Sequence, residues 1–182
     1  PYRIAIISTG LIMQQRENNE FVKEAGMLLK NKFGTVILDE AHKARVKGGL
    51  GDSAEQPNNL LAFMLSIGKR TRHLILGTAT PIQTNVRELW DLMSILNSGA
   101  EFVLGDKLSH WQDYERATAL ITGKLQIDSE SDAWEWLSNP LPPSIENPNI
   151  QNIRDHLEIK PSSFSCSHRF EDLDFLVQSI WL

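Results

Sequence analysis

A chain of 182 residues, 41% hydrophobic and 23% charged, can bury one core with an appendage and is neither disordered nor fibrous in composition. Its net charge of -5 excludes a surface that coats nucleic acid indiscriminately, so any such contact must be local. The single cysteine, Cys166, excludes a disulfide framework and a cysteine-rich zinc site and fits a reducing, cytoplasmic setting; no apolar run approaches the ~20 residues of a membrane span, so no membrane is expected as a partner.

The opening Pro1-Tyr2-Arg3-Ile4 has neither an initiator Met nor a signal-peptide pattern, and the chain reads as a piece of a longer protein. Ile4-Ala5-Ile6-Ile7 is the first of three uninterrupted apolar runs, each expected to be a strand covered on both faces, and it ends in Ser8-Thr9-Gly10. Phe21, Ala25, Leu28 and Leu29 then give one apolar helix face before Gly34. The second run, Val36-Ile37-Leu38, passes into Asp39-Glu40-Ala41-His42 and a basic, glycine-rich loop with Lys43, Arg45 and Lys47. Pro57 is expected to open a helix burying Leu60, Leu61, Met64, Leu65 and Ile67, with Gly68 just past its end.

The third run, Leu74-Ile75-Leu76, leads into Gly77-Thr78-Ala79-Thr80-Pro81. Asn85-Val86-Arg87-Glu88 has capping-box spacing, and Val86, Leu89, Trp90, Met93 and Leu96 form a stripe that stops at Gly99. The order β-α-β-α-β-α with right-handed crossovers predicts an α/β parallel sheet whose polar strand ends share one edge, where open α/β sheets bind ligands. Near Gly105 the strand-like runs cease, and prolines at 140, 142, 143, 148 and 161 divide the rest. Ser109-His110-Trp111-Gln112, the cluster Trp134, Trp136 and Leu137, the set Ile150, Ile153 and Leu157, and the stretch from Phe170 to Leu182 read as short helices. The predicted division is an α/β part, 1–105, and a C-terminal helical appendage, 106–182. The tryptophans are expected in its core rather than as base-stacking platforms.

Hydrolysis of a phosphoanhydride needs a divalent cation to neutralise developing charge and a base to orient and activate water. Adjacent carboxylates at a strand end divide that labour, Asp39 holding Mg through its water shell and Glu40 facing the water. A bare Asp-Glu pair is ordinarily a solvated helix cap; the apolar strand before this one and the Gly-Thr-Ala-Thr-Pro segment downstream distinguish it. A histidine at a strand end can also donate to a hydroxyl on a neighbouring strand end, which would join His42 to Thr78 or Thr80. For the basic loop, contact with nucleic acid or with a further lobe on one side and a solvated surface on the other remain equal alternatives.

Val36 to His42 resembles the DEAH form of the Walker B motif of superfamily-two helicases. Leu76-Gly77-Thr78-Ala79-Thr80-Pro81-Ile82-Gln83, followed by Arg87-Glu88-Leu89-Trp90-Asp91-Leu92, is similar to the third helicase motif of the Swi/Snf-like ATPases. Ile7-Ser8-Thr9-Gly10 stands where that family has a nucleic-acid-contacting motif. The resemblance implies a partial RecA-like lobe using ATP and Mg, with Asp39 as the Mg-associated acid and Glu40 as the catalytic acid-base. It further implies that His42, Thr78, Thr80 and Gln83 couple the site to nucleic acid bound by Ser8, Thr9 and Gly10, with Lys43 and Arg45 beside them. The implied partners are duplex DNA and a second RecA-like lobe, and the implied activity is DNA translocation or remodelling. A strand-separating DNA or RNA helicase and an inactive interaction scaffold are the alternatives. No phosphate loop of the form G-x-x-x-x-G-K followed by Ser or Thr occurs, and Gly49-Leu50-Gly51 is followed by Asp52, whose carboxylate would repel phosphate. The chain alone is therefore not expected to turn over ATP.

Overall fold

The computed structural model describes residues 4–14, 23–47, 56–142 and 147–181, so Phe21 and the stretch Gly49-Leu50-Gly51-Asp52 lie outside the described residues. The chain divides into two compact units, 1–100 and 101–182.

The first unit is mixed α/β. In chain order it holds α1 (Thr9–Ile12), α2 (Lys23–Leu28), β1 (Phe33–Leu38), β2 (Val46–Lys47), β3 (Gln56–Pro57), α3 (Asn59–Gly68), β4 (Thr71–Leu76) and α4 (Arg87–Asn97). β1 and β4 pair in parallel with Val36 opposite Leu74 and Leu38 opposite Leu76, α3 lying in the connection between them. Side chains alternate across a strand, so Val36, Leu38, Leu74 and Leu76 share one face. They pack on Leu60, Leu61, Met64 and Ile67 of α3 and on Leu92 and Ile95 of α4.

The opposite face is open. Ile37 and Ile75, paired in register, are 68% and 52% exposed. The expectation of strands covered on both faces is thus corrected for β1 and β4. It is corrected again for Ile4-Ala5-Ile6-Ile7, which has no regular structure, with Ile6 97% exposed. Apolar side chains alone do not make a strand; the backbone needs a ladder partner.

Two further expectations shift by local chemistry. Asn58, not Pro57, opens α3: its Oδ1 accepts the Leu61 N–H at 2.8 Å, while Pro57 sits in β3 opposite Val46. Gly68 is the last residue of α3 rather than the first beyond it. Its lack of a side chain serves packing, since a Cβ there would fall 2.0 Å from Ser98 Oγ, and one on Gly99 would fall 2.6 Å from the Gly68 carbonyl oxygen.

The second unit is helical among its described residues: α5 (Tyr114–Ile121), α6 (Glu130–Leu137), α7 (Pro148–His156) and α8 (Phe175–Trp181), with 3-10 turns at His110–Gln112 and Phe170–Asp172. The single final helix expected from Phe170 is therefore a turn followed by α8. Asp113, Ser129 and Asn147 cap α5, α6 and α7 with their side-chain oxygens. Trp134, Leu141, Ile153, Phe170, Leu173 and Val177 form the core, and the Trp134 indole N–H donates to the His168 carbonyl at 2.7 Å. Arg154, 3% exposed, donates to the carbonyls of Leu141, Pro142, Lys160 and Ser163. No helix among the described residues is long and apolar enough to cross a membrane.

Candidate functional site

Parallel pairing brings the C-terminal ends of β1 and β4 together. The Gly77 N–H donates to the Leu38 carbonyl at 2.8 Å, and the Ala41 N–H returns to the Gly77 carbonyl at 2.9 Å. These two bonds lock the residues after β1 against those after β4. Asp39 is exposed, and its Oδ1 accepts the Glu40 N–H at 2.9 Å.

Glu40 adopts the left-handed conformation, φ 53 and ψ 46. For a residue with a side chain this costs roughly 1–2 kcal/mol, and such strain concentrates at functional sites. The conformation reverses the chain into the 3-10 turn Ala41–Lys43 and sends the carboxylate back toward His42. His42 Nδ1 lies 3.3 Å from Glu40 Oε2 and 3.1 Å from Thr78 Oγ1. One ring nitrogen thus serves a carboxylate and a hydroxyl, and its contact with Glu40 is attractive only when Nδ1 carries a proton.

From Thr78 the hydrogen bonds continue outward. Its Oγ1 accepts the Thr80 N–H at 3.2 Å, and Thr80 Oγ1 accepts from Gln83 Nε2 at 3.3 Å. Beyond Gln83 stands Glu88, buried at 9% exposure. Its Oε2 accepts the Gln83 and Thr84 N–H groups at 2.5 and 3.1 Å, and its Oε1 accepts the Thr84 hydroxyl at 2.8 Å and Arg45 Nη1 at 3.3 Å. Burial by itself pushes this carboxyl up; the bonds from Gln83 and Thr84 and the charge of Arg45 outweigh it and hold the pKa at about 2 rather than 4.5. One turn on, Asp91 Oδ2 accepts the Val46 N–H at 2.8 Å.

An exposed carboxylate suits Mg, which takes one or two protein carboxylates and fills its remaining positions with phosphate oxygens and water. Asp39 fits that role. Among the described residues no group of three His, Cys, Asp or Glu side chains could hold a metal by itself.

The structure brings Asp39, Glu40, His42, Thr78, Thr80 and Gln83 into one bonded series. Of the other predicted site residues, Lys43 adjoins it, its N–H donating to the Glu40 carbonyl at 3.0 Å, and Arg45 reaches it through Glu88, whereas Ser8, Thr9 and Gly10 belong to α1 and its cap. Ser8 caps α1, its Oγ accepting the Gly10 N–H at 3.2 Å, and Thr9 begins that helix. Asn59 Nδ2 ties the end of α1 to α3 through the Met13 carbonyl at 3.3 Å, and the neighbouring Asn58 Nδ2 donates to the Lys43 carbonyl at 2.6 Å. Lys43 is exposed, while Arg45 is half-exposed and engaged by Glu88.

Sequence reasoning missed Glu88 and Asp91. The capping-box spacing pointed Glu88 at the Asn85 backbone; Asn85 Oδ1 does accept the Arg87 N–H at 2.8 Å, but Glu88 turns to the preceding loop instead. The signal available was the Thr84-to-Glu88 spacing, which puts a hydroxyl and a carboxylate one helical turn apart.

No protein-family model matches the chain, and no solved structure matches it significantly. It is similar to Nuclear protein STH1/NPS1 of Saccharomyces cerevisiae, 30% identical over 86 residues, which is 44% of this chain and 6% of that protein. It is similar to Protein CHROMATIN REMODELING 24 of Arabidopsis thaliana, 29% identical over 128 residues, 70% of this chain and 9% of that protein. Human Chromodomain-helicase-DNA-binding protein 1 is 27% identical over 96 residues, 49% of this chain and 5% of that protein. The chain spans less than a tenth of the length of each of these relatives. One of them bears the word nuclear in its name, and none supports the expected cytoplasmic setting.

Proposed function

From its membership of the Swi/Snf-like helicase superfamily, to which these relatives join it, we propose that the chain is part of an ATP-hydrolysing motor acting on duplex DNA. Residues 1–105 are the later part of a RecA-like first lobe, and 106–182 are a helical appendage or insertion. The observation that carries this reading is Glu40, a carboxylate held in a strained backbone conformation at the end of a parallel strand and joined through His42 to Thr78. Packing of the lobe does not require an acid there.

Magnesium-bound ATP supplies the scissile phosphoanhydride and the cation that neutralises charge on its phosphates. Asp39 would hold that cation through water, and Glu40 would act as the base that accepts a proton from water. His42 steadies the Glu40 carboxylate and shares its Nδ1 with Thr78, so loss of charge at Glu40 changes the partner available to the segment 78–83. Through Thr80 and Gln83 the change passes toward the nucleic acid, whose backbone Ser8, Thr9, Gly10, Lys43 and Arg45 would contact. The chain contains no phosphate loop, and a second RecA-like lobe completes the machine.

Glu40→Gln in the full-length protein tests the assignment, because the amide keeps the shape of the side chain and loses its basicity. Steady-state hydrolysis should fall by at least about 100-fold while nucleotide affinity stays within a few-fold. A variant that retains most of its turnover would show that another group activates the water.

A further inference from the structure

We infer that Glu88 is a positioning residue that clasps the segment 78–84 to the loop after the acids, and that coupling of hydrolysis to DNA passes through this clasp; the inference rests on the motor reading above.

Residues 77–86 form no helix or strand, and 79–86 are exposed, so little packing fixes their course. Side-chain bonds must do so. At the front, Thr78 is tied to His42. At the rear, one Glu88 carboxylate takes two backbone N–H groups and a hydroxyl from Gln83 and Thr84. The same carboxylate takes Arg45 Nη1. His42 and Arg45 stand three residues apart on one short loop, so both ends of the 78–84 segment are moored to the loop that follows the catalytic acids.

Two moorings on one loop have a mechanical consequence. A single tie lets the segment pivot when the loop moves; two ties make it follow. Asp91 adds to this by holding the Val46 backbone, so α4 grips the loop beyond Arg45 as well. The carboxylate is ionised throughout the physiological pH range, so the clasp is constant and not proton-gated. Glutamine cannot replace it, because an amide presents one acceptor oxygen, and its NH2 meets donors where the second carboxylate oxygen accepts them.

The test compares Glu88→Gln with wild type in the full-length protein. The measurements are ATPase rate with and without duplex DNA, nucleotide affinity, and a thermal melt. Stimulation by DNA should drop by at least about tenfold, with the unstimulated rate and nucleotide affinity within roughly threefold of wild type. Glu88→Asp, which keeps the charge on a shorter arm, should recover part of the stimulation. Thr84→Ala removes one hydroxyl from an exposed loop and leaves the fold intact, so it stands in if Glu88→Gln does not fold, and should lose stimulation by a few-fold. Full stimulation in folded Glu88→Gln or, failing that, in Thr84→Ala overturns the inference. So does an equal loss of unstimulated and stimulated rates, which would make Glu88 a structural support only. Glu40→Gln run alongside separates the two ideas: if wild type shows no DNA-stimulated hydrolysis the motor reading itself fails, if Glu40→Gln still hydrolyses ATP the role given to Glu40 fails, and a dead Glu40→Gln beside a fully stimulated Glu88 variant removes the clasp alone.

Discussion

At Glu40 the usual ranking of substitutions should invert. In most exposed positions alanine is tolerated better than glycine, because glycine gives the unfolded chain more freedom to lose. Here φ is 53, a conformation that penalises any Cβ and favours glycine. Glu40→Gly should therefore be more stable than Glu40→Ala by about 1 kcal/mol, and a pair of denaturant melts measures the difference. Equal stabilities, or a more stable alanine variant, would mean that the backbone relaxes out of the left-handed region once the carboxylate is gone. Both variants lack the carboxylate, so neither should hydrolyse ATP in the full-length protein. Much of this site was legible in the sequence because its members are adjacent along the chain or lie at the ends of two apolar runs; the nearness of His42 to Thr78 needs only that β1 and β4 pair in parallel. The left-handed turn at Glu40 was not legible, since glutamate carries no preference for it and a tertiary bond, Ala41 N–H to the Gly77 carbonyl, helps impose it.

Among the elements, α7 shows how a buried charge can replace regular structure. Arg154 projects from it and satisfies four carbonyls of the chain around 141–142 and 160–163, a region with no helix or strand of its own. Arg154→Met keeps the apolar stem and removes every donor, leaving buried acceptors unpaired at ~1–3 kcal/mol for each one that water cannot reach. We expect a loss of about 3 kcal/mol in stability, read by thermal or urea melting. Arg154→Lys should restore less than half, because a single ammonium cannot span the guanidinium fork. A change below about 1 kcal/mol for Arg154→Met would show that solvent enters and serves the carbonyls. Periodicity placed α7 through Ile150 and Ile153, but the stripe expected for α4 missed the buried Leu92 and Ile95 and included Val86, which is exposed and precedes the helix; nor could it reveal Arg154 as buried. Composition treats arginine as surface, and only the returning chain makes it otherwise.

For the whole molecule, runs of Val, Ile and Leu announced a parallel sheet, and two of the three runs supply it. The third did not, because a strand is defined by its neighbour's backbone, which no pattern of side chains guarantees. The sheet therefore consists of β1 and β4, and each strand has a ladder along one side only among the described residues. The phase of that ladder over 35–38 and 73–76 is set by the bond from the Gly77 N–H to the Leu38 carbonyl at 2.8 Å. In a parallel pair the N–H groups of one strand point alternately toward its partner and away. Val36 and Leu38 on β1, with His73 and Ile75 on β4, thus aim their amides inward, whereas Ile37 on β1 and Leu74 and Leu76 on β4 aim theirs outward. In deuterated water the first set should exchange at least about tenfold more slowly than the second, resolved amide by amide in NMR spectra. Uniformly slow exchange along both strands would reveal a further pairing partner in solution. With the pattern expected, every second deuteron taken up along β1 and β4 would trace a boundary at which the sheet meets solvent.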